Sequence, residues 1–443
     1  MKNILKFLNG TSTKSRLIKD GMSSLIVNGG NKVFVLITGV LLVRILGKSE
    51  YGIYSYVLSM MYILVFPIEF GIVNLIVRET ARGITQQDHS TVKGIWYWSF
   101  RISIFLSFGA LLIAGIGSIW AKGFFSQVEM STFYWVLALL PFQVLIYIGS
   151  ASLRGLSKVI IGQIADMIII PGLFAALFLV TYIWTPNEMN AASAMALRTA
   201  ATFIAFLFTI ICLIKKTPNE VRNAHPIDPS KAWFLSALTL GMGSGFNILK
   251  THLSTLFLGL FVDSGQIGTF QVAVSAAAFA GVALQAVNAI LAPMFASLIA
   301  QKEMEKFQKL ATTSSRIVSA FNLVVALTFI FFGKPLLTFA FGPELVDAYP
   351  SLIILLVGQL VNSFTGSVAY ILNMAGYEKD VMKVIGISTG INLILVLIIT
   401  PFWGIIGAAI ASTVSFIFSQ FFMHRLVYKK LGIVSNAFGR LFH

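Results

Sequence analysis

Cysteine is almost absent from this 443-residue chain: Cys212 is the single example, and it lies in an apolar run. One thiol excludes an intramolecular disulfide framework and any cysteine-rich metal centre. Charge is scarce as well, at 11% of residues against 57% hydrophobic, far below what the surface of a water-soluble globule needs. The scarcity is lopsided, with 17 acidic residues against 32 lysines and arginines and a formal net charge of +15. The five histidines are scattered, with no HExxH and no cluster of acids, which argues against a metalloenzyme. No GxxxxGK[ST] stretch is present to cradle a nucleotide phosphate. A membrane glycosyltransferase would usually need a sizeable extracytoplasmic segment, and none is visible. Nothing in the sequence points to an enzyme.

What the chain has instead is long apolar runs. A helix needs about 20 apolar residues to cross the hydrocarbon core, and that criterion predicts twelve spans, at 22–46, 51–76, 94–120, 132–153, 157–184, 191–214, 232–261, 265–295, 314–333, 350–373, 381–400 and 402–426. The predicted fold class is an all-α integral membrane protein. Of the 32 basic residues, 23 fall on one set of loops and tails, 3 on the opposite set (Lys48, Lys122, Lys334) and 6 within spans. Basic loops remain on the cytoplasmic side, so both termini are expected there. The net positive charge then faces anionic lipid headgroups rather than nucleic acid.

The connection 215–231 (KKTPNEVRNAHPIDPSK) carries three prolines and reads as a cytoplasmic linker. The expected organisation is a tail over 1–21, a six-helix N-lobe over 22–214, the linker, a six-helix C-lobe over 232–426 and a tail over 427–443. A weak repeat supports two lobes: a shift of 216 residues sets Gly29 on Gly245, Asn31 on Asn247, Leu42 on Leu258 and Gly52 on Gly268. Two six-helix lobes that both start inside form parallel repeats about an axis along the membrane normal, which is a transporter architecture.

Within the spans stand Lys32, Arg44, Arg101, Arg198, Lys250 and Arg316, against only Glu69 and Asp166. A charge at the helix centre costs about 2.5–3.5 kcal/mol on insertion scales, so such residues normally face a bundle interior or a water-filled cavity. Arg44 and Arg316 lie close to span ends, where an arginine can simply snorkel to the interface. Lys32 and Lys250 lie deep in the first helix of each lobe. Both helices carry glycines nearby (Gly29, Gly30; Gly241, Gly243, Gly245), which let a membrane helix bend or pack closely. Glu69 and Asp166 are candidates for proton or sodium coupling, or equally for internal partners of the cations. His252 reads as a packed neutral histidine.

The run LLVRILGKSEYGIYSYVLSM (41–60) resembles the opening of bacterial polysaccharide exporters, the Wzx-type flippases of the multidrug/oligosaccharidyl-lipid/polysaccharide (MOP) superfamily. FPIEFGIVNLIVRETAR (66–82), APMFASLIAQKEMEKFQKL (292–310) and FAFGPELVDAYPSLIILLVG (339–358) extend the resemblance over nearly the whole chain. It implies a flippase that carries an undecaprenyl-diphosphate-linked oligosaccharide, such as an O-antigen repeat unit, to the periplasmic leaflet of the inner membrane. It also implies that a lysine in the first span, matched by Lys32, meets the diphosphate in a cationic central cavity. Lys250, Arg198 and Arg101 join Lys32 as expected substrate-binding cations at comparable depth, and a polysaccharide polymerase and a chain-length regulator are implied partners. No metal or organic cofactor is expected. The rival expectation is a cation-coupled multidrug exporter of the same superfamily, which would need an anionic cavity.

Overall fold

The structure is a computed structural model that describes residues 13–69, 71–121, 123, 125–227, 231–301 and 303–439. Among these, all regular structure is helical. The first half comprises α1 (Thr13–Glu69), α2 (Ile72–Thr85), α3 (His89–Ala121), α4 (Gln127–Gly155), α5 (Val159–Ile164), a π-helical segment (Ala165–Ile169), α6 (Ile170–Trp184), α7 (Ala191–Lys216) and the short α8 (Asn219–Asn223). The second half comprises α9 (Lys231–Leu258), α10 (Ser264–Ala300), α11 (Met304–Phe341), α12 (Tyr349–Thr365), α13 (Val368–Met374) and α14 (Glu378–Leu431).

Two of these helices are each two spans joined across a kink. The backbone of α1 leaves helical geometry at Gly47 (φ 77°, ψ 172°), and that of α14 at Gly404 (φ 51°, ψ −131°). Positive φ is readily available to glycine alone, so each break falls where a span must end and the next begin. With both helices divided there, and α5, the π segment and α6 taken as one span, the predicted twelve spans are accounted for. The second span is bent by 48° where α1 passes into α2, just after Pro67 and at Gly71, whose φ is 73°.

Helices start where side chains can satisfy their free N–H groups. Ser126 and Glu129 form a capping box on α4, Asn190 and Ser193 one on α7, and the Asp263 carboxylate accepts from Gln266 N at 2.9 Å on α10. At the loop before α3, hydrogen bonds from the Thr91 hydroxyl and backbone hold the exposed Asp88 carboxyl below the usual carboxylate range.

The chain forms two compact units, Met1–Thr38 with Met60–Ile248, and Gly39–Ser59 with Leu249–His443. Residues 39–59 thus group with the second half of the chain and residues 231–248 with the first. Within the first unit the 215–231 linker is pinned: Ile227 N donates to Ser90 O at 3.4 Å and Lys93 Nζ to Arg222 O at 2.7 Å. Residues after it belong there too, because Gly71 lies so close to α9 that a Cβ would stand 1.8 Å from Ala237 O. Residues 39–59 belong to the second unit for a matching reason. A Cβ on Gly52 would stand 1.7 Å from Ser264 O, and one on Gly268 2.1 Å from Lys48 O. These contacts interchange under the 216-residue shift, as they do around a local two-fold.

In the second unit the C-terminal residues after α14 form a strap rather than a free end. Ser315 Oγ donates to Ser435 O at 2.6 Å, Gln308 exchanges bonds with Val434 O and N at 2.6 and 2.8 Å, and Arg316 Nε donates to Ala437 O at 2.8 Å. Ile433, Val434 and Ser435 are buried, and Phe438 stacks on Phe364 at 5.8 Å. At about 1 kcal/mol net per hydrogen bond plus the buried apolar area, a chain ending at Gly432 is expected to lose at least about 3 kcal/mol. Thermal unfolding of the detergent-solubilised protein checks this, and an unchanged midpoint would show that the strap contributes nothing.

Candidate functional site

In the first unit a proline sets the geometry. Pro171 has no N–H to offer the carbonyl four residues back, so the turn before it cannot close as an α-helix. The chain runs there as the π segment Ala165–Ile169, and the stranded Met167 carbonyl accepts from Asn31 Nδ2 at 2.9 Å. A side chain from a neighbouring helix thus re-satisfies the freed backbone group, as lipid-embedded structure requires.

Asp166 lies on this π segment. Its Oδ1 accepts from Nε2 of the buried Gln143 at 3.0 Å, and the charges of Arg198 and Arg154 act on it. Arg198 Nη2 donates to the Tyr62 hydroxyl at 3.4 Å, and its guanidinium stands 6.0 Å from the Phe174 ring centre. The first unit therefore brings one predicted cation within electrostatic reach of one predicted acid, in a set that also includes Asn31, Gln143, Tyr62 and Phe174. The side chains of Lys32 and Glu69 lie outside the described residues; the Lys32 backbone follows Asn31 in α1.

Arg101 is placed differently. It is exposed on α3, 5.7 Å over the Tyr97 ring one turn earlier, on a face that also exposes Phe100, Ile104, Phe105 and Phe108. That composition is what lipid meets.

The second unit holds the other deep cation. Lys250 Nζ lies 4.7 Å from the Phe416 ring centre and 3.5 Å from Ser419 Oγ, the outer limit of a hydrogen bond. Among the described residues it makes no ion pair. A ring face attracts an ammonium without neutralising it, so its full charge stays available to an anion. Two helical turns separate it from Leu258, the end of α9. His252 Nδ1 is 3.5 Å from Ser59 Oγ. Arg44 binds the Ala340 carbonyl through Nε at 2.8 Å and the Phe339 carbonyl through Nη2. It thereby caps the C-terminal end of α11, where carbonyls lack partners and a cation is favoured.

A family model described as polysaccharide biosynthesis protein matches residues 17–299. The chain belongs to this family. The matched part carries both deep lysines, Asp166 and Arg198, whereas Phe416 and Ser419 lie beyond it. Solved structures supply the fold of this polysaccharide biosynthesis protein. A multidrug resistance MATE family transporter of the MOP superfamily is similar in its inward-facing form, with a TM-score of 0.71 at 15% identity over 90% of this chain and 95% of that one. Its outward-facing form gives 0.66 at 15% identity over 98% of each chain. A MOP superfamily transporter from Pyrococcus furiosus, whose binding pocket is described as of reverse polarity, gives 0.64 at 15% identity over 97% and 99%. An uncharacterised membrane protein of Methanocaldococcus jannaschii is 28% identical over 150 residues, 32% of this chain; the match spans 29% of that relative's length. The polysaccharide biosynthesis protein thus has the twelve-helix, two-lobe fold of those solved transporters.

Reading for charge missed the neutral partners. Gln143, Tyr62 and Phe174 carry no signal of their own in apolar runs. Asn31 appeared only as a repeat match. The combination of Pro171 with an acid five residues before it is the one local sign that a backbone carbonyl there needed an outside donor.

Proposed function

We propose that this protein is a flippase that moves an undecaprenyl-diphosphate-linked oligosaccharide, the repeat unit of an O-antigen or another surface polysaccharide, from the cytoplasmic to the periplasmic leaflet of a bacterial inner membrane by alternating access. The observation that carries this reading is Lys250: a membrane-embedded ammonium held by a ring and a hydroxyl, with no carboxylate among the described residues to neutralise it. Lys32 and Arg198 are the first unit's candidate contributors of positive charge, and both termini lie in the cytoplasm. The sugar passes in a hydrated cavity while the polyprenyl tail stays in lipid. In an inside-negative membrane, moving each negative charge outward releases about 2.3 kcal/mol per 100 mV. Cavity cations that neutralise the headgroup reduce that drive, which leaves a role for proton or sodium antiport through Asp166 and Glu69. A polymerase and a chain-length regulator take the product onward.

Proteoliposomes carrying the purified full chain and a fluorescent undecaprenyl-diphosphate-linked oligosaccharide test the reading by protection of the label from an external quencher. Protein-dependent loss of protection supports it. Ethidium transport with no movement of the lipid-linked sugar would replace it with the multidrug-exporter reading. In the same vesicles, Asp166→Asn is expected to remove the acceleration produced by an imposed proton or sodium gradient and to leave substrate binding within about twofold. A variant still fully responsive to both gradients would reduce Asp166 to a structural partner of Gln143.

A further inference from the structure

Within the second unit, α10, α12, α13 and α14 enclose a cavity of about 290 Å³. Its lining has an unusual chemistry for the interior of a membrane helix bundle: five carboxamides, from Gln285, Asn288, Gln359, Asn362 and Gln420, and no charged side chain. Phe416 and Tyr370 supply aromatic surface. Carboxamides are costly in such a place unless bonded, and their internal bonds use only part of their capacity. Asn288 Oδ1 accepts from Ser367 Oγ, Gln420 Oε1 from Thr365 Oγ1 at 3.3 Å, and Gln359 Oε1 from Asn362 Nδ2 at 3.5 Å. Each carboxamide offers two donors and an acceptor, so most of the set stays available to a ligand. Turning an amide over exchanges donor for acceptor and leaves that total unchanged.

The chemistry narrows the occupant. A lining without charge gives neither an organic cation nor a phosphate a counterion. Alternating donors and acceptors beside aromatic rings suit a neutral polyhydroxylated ring, whose hydroxyls bond amides and whose C–H faces lie on the rings. The volume sits at the lower end of the range for ligand sites, about 300–1,000 Å³, and fits a single sugar residue rather than a whole repeat unit. Phe416 joins this cavity to the cation, since its ring lines the cavity and also carries the Lys250 ammonium. Gln285 and Tyr370 are exposed, so the space is reachable from outside the packed core.

We infer that this amide-lined cavity is a saccharide subsite, which holds a pyranose ring of the substrate while Lys250, beside it, meets the diphosphate. The inference rests on the flippase reading and adds a second recognition element, neutral and specific for sugar, to the charge that any polyprenyl diphosphate would satisfy.

The test compares binding of two probes to the purified full chain: undecaprenyl diphosphate, and the same lipid bearing one sugar, taken in turn from glucose, galactose, N-acetylglucosamine and rhamnose. At least one glycosylated probe is expected to bind about tenfold tighter than the bare lipid, and Gln285→Leu and Gln359→Leu each to bring that ratio close to one. Gln285 is exposed, so its replacement leaves core packing alone. Lys250→Met, in contrast, weakens both probes and keeps their ratio. The corresponding free methyl glycoside, added as competitor, distinguishes a site for lipid-linked sugar from one for free sugar: competition only at large molar excess indicates the former. Equal binding of bare and glycosylated lipid throughout, or a preference untouched by both glutamine variants, overturns the inference and leaves the flippase reading standing. Binding of no probe overturns both.

Discussion

Lys250→Glu is expected to abolish translocation of the lipid-linked saccharide while the protein remains in the membrane at normal abundance; Lys250→Arg keeps most of the rate. A hydrogen bond to a charged group contributes about 1.5–3 kcal/mol, so removing the ammonium alone, as in Lys250→Met, should slow transport by about tenfold to a hundredfold. Reversal goes further because the new carboxylate repels the diphosphate. A fall of at least about a hundredfold is expected, read as quencher protection in proteoliposomes alongside an immunoblot of the membrane fraction. The abundance control matters, since Lys250 is part-buried and an added acid costs something in any apolar setting. Phe416, at 4.7 Å, offers a second handle. Phe416→Leu removes the ring face but keeps the charge, and should affect the rate less than Lys250→Met. Full transport by Lys250→Glu at wild-type abundance would exclude this lysine as the anion's partner.

Gly52→Leu and Gly268→Leu are each expected to prevent accumulation of folded protein. Here the obstacle is backbone, which cannot swing away as a side chain can. A Cβ at Gly52 would lie 1.7 Å from Ser264 O and one at Gly268 2.1 Å from Lys48 O, so either substitution forces the N-terminal end of α10 away from residues 48–52. Overpacking costs about 1–3 kcal/mol where neighbours can shift and more where they cannot, and the rigid case applies. Gly109 and Gly115 on α3 serve as controls. Neither has an atom within 4 Å of an added Cβ, and glycine inside a helix is about 0.5–1 kcal/mol worse than alanine. Gly109→Ala should therefore accumulate normally and melt no lower than the parent, with both classes followed by fluorescence-detected size exclusion and thermal shift. Normal accumulation of Gly52→Leu would show that this contact is looser than the geometry states.

The same pair of glycines shows how far a sequence pattern can carry. Gly52 and Gly268 were paired by a 216-residue shift that matched four residues and by nothing else. In the structure they lie against one another, with Lys48 and Ser264 exchanging roles around them. No sequence signal distinguished them from Gly30, which has open space around a would-be Cβ; close packing depends on what the partner helix presents, and that partner lies more than two hundred residues away. The intramembrane charges divided in a similar way. Asp166, on the π segment before Pro171, and Arg198, on α7, interact within the first unit. Arg44 and Arg316, two of the same six cations, bind backbone carbonyls at the end of α11 and in the C-terminal strap.

Spans were legible because the bilayer acts on each segment separately. Twenty apolar residues are a span whatever their neighbours are, and lysine and arginine sort by side one loop at a time. Length, hydropathy and a weak repeat were therefore enough for twelve helices and two lobes. Recognition chemistry follows another rule, because a site is made by residues that are close in space and remote in the chain. Gln285, Asn288, Gln359, Asn362 and Gln420 come from three helices and stand singly or in pairs among apolar residues, each unremarkable in its own run. Packing alone brings them around one cavity and sets Phe416 between that cavity and Lys250, and that step turns scattered polar residues in an apolar chain into a place where a sugar can be held.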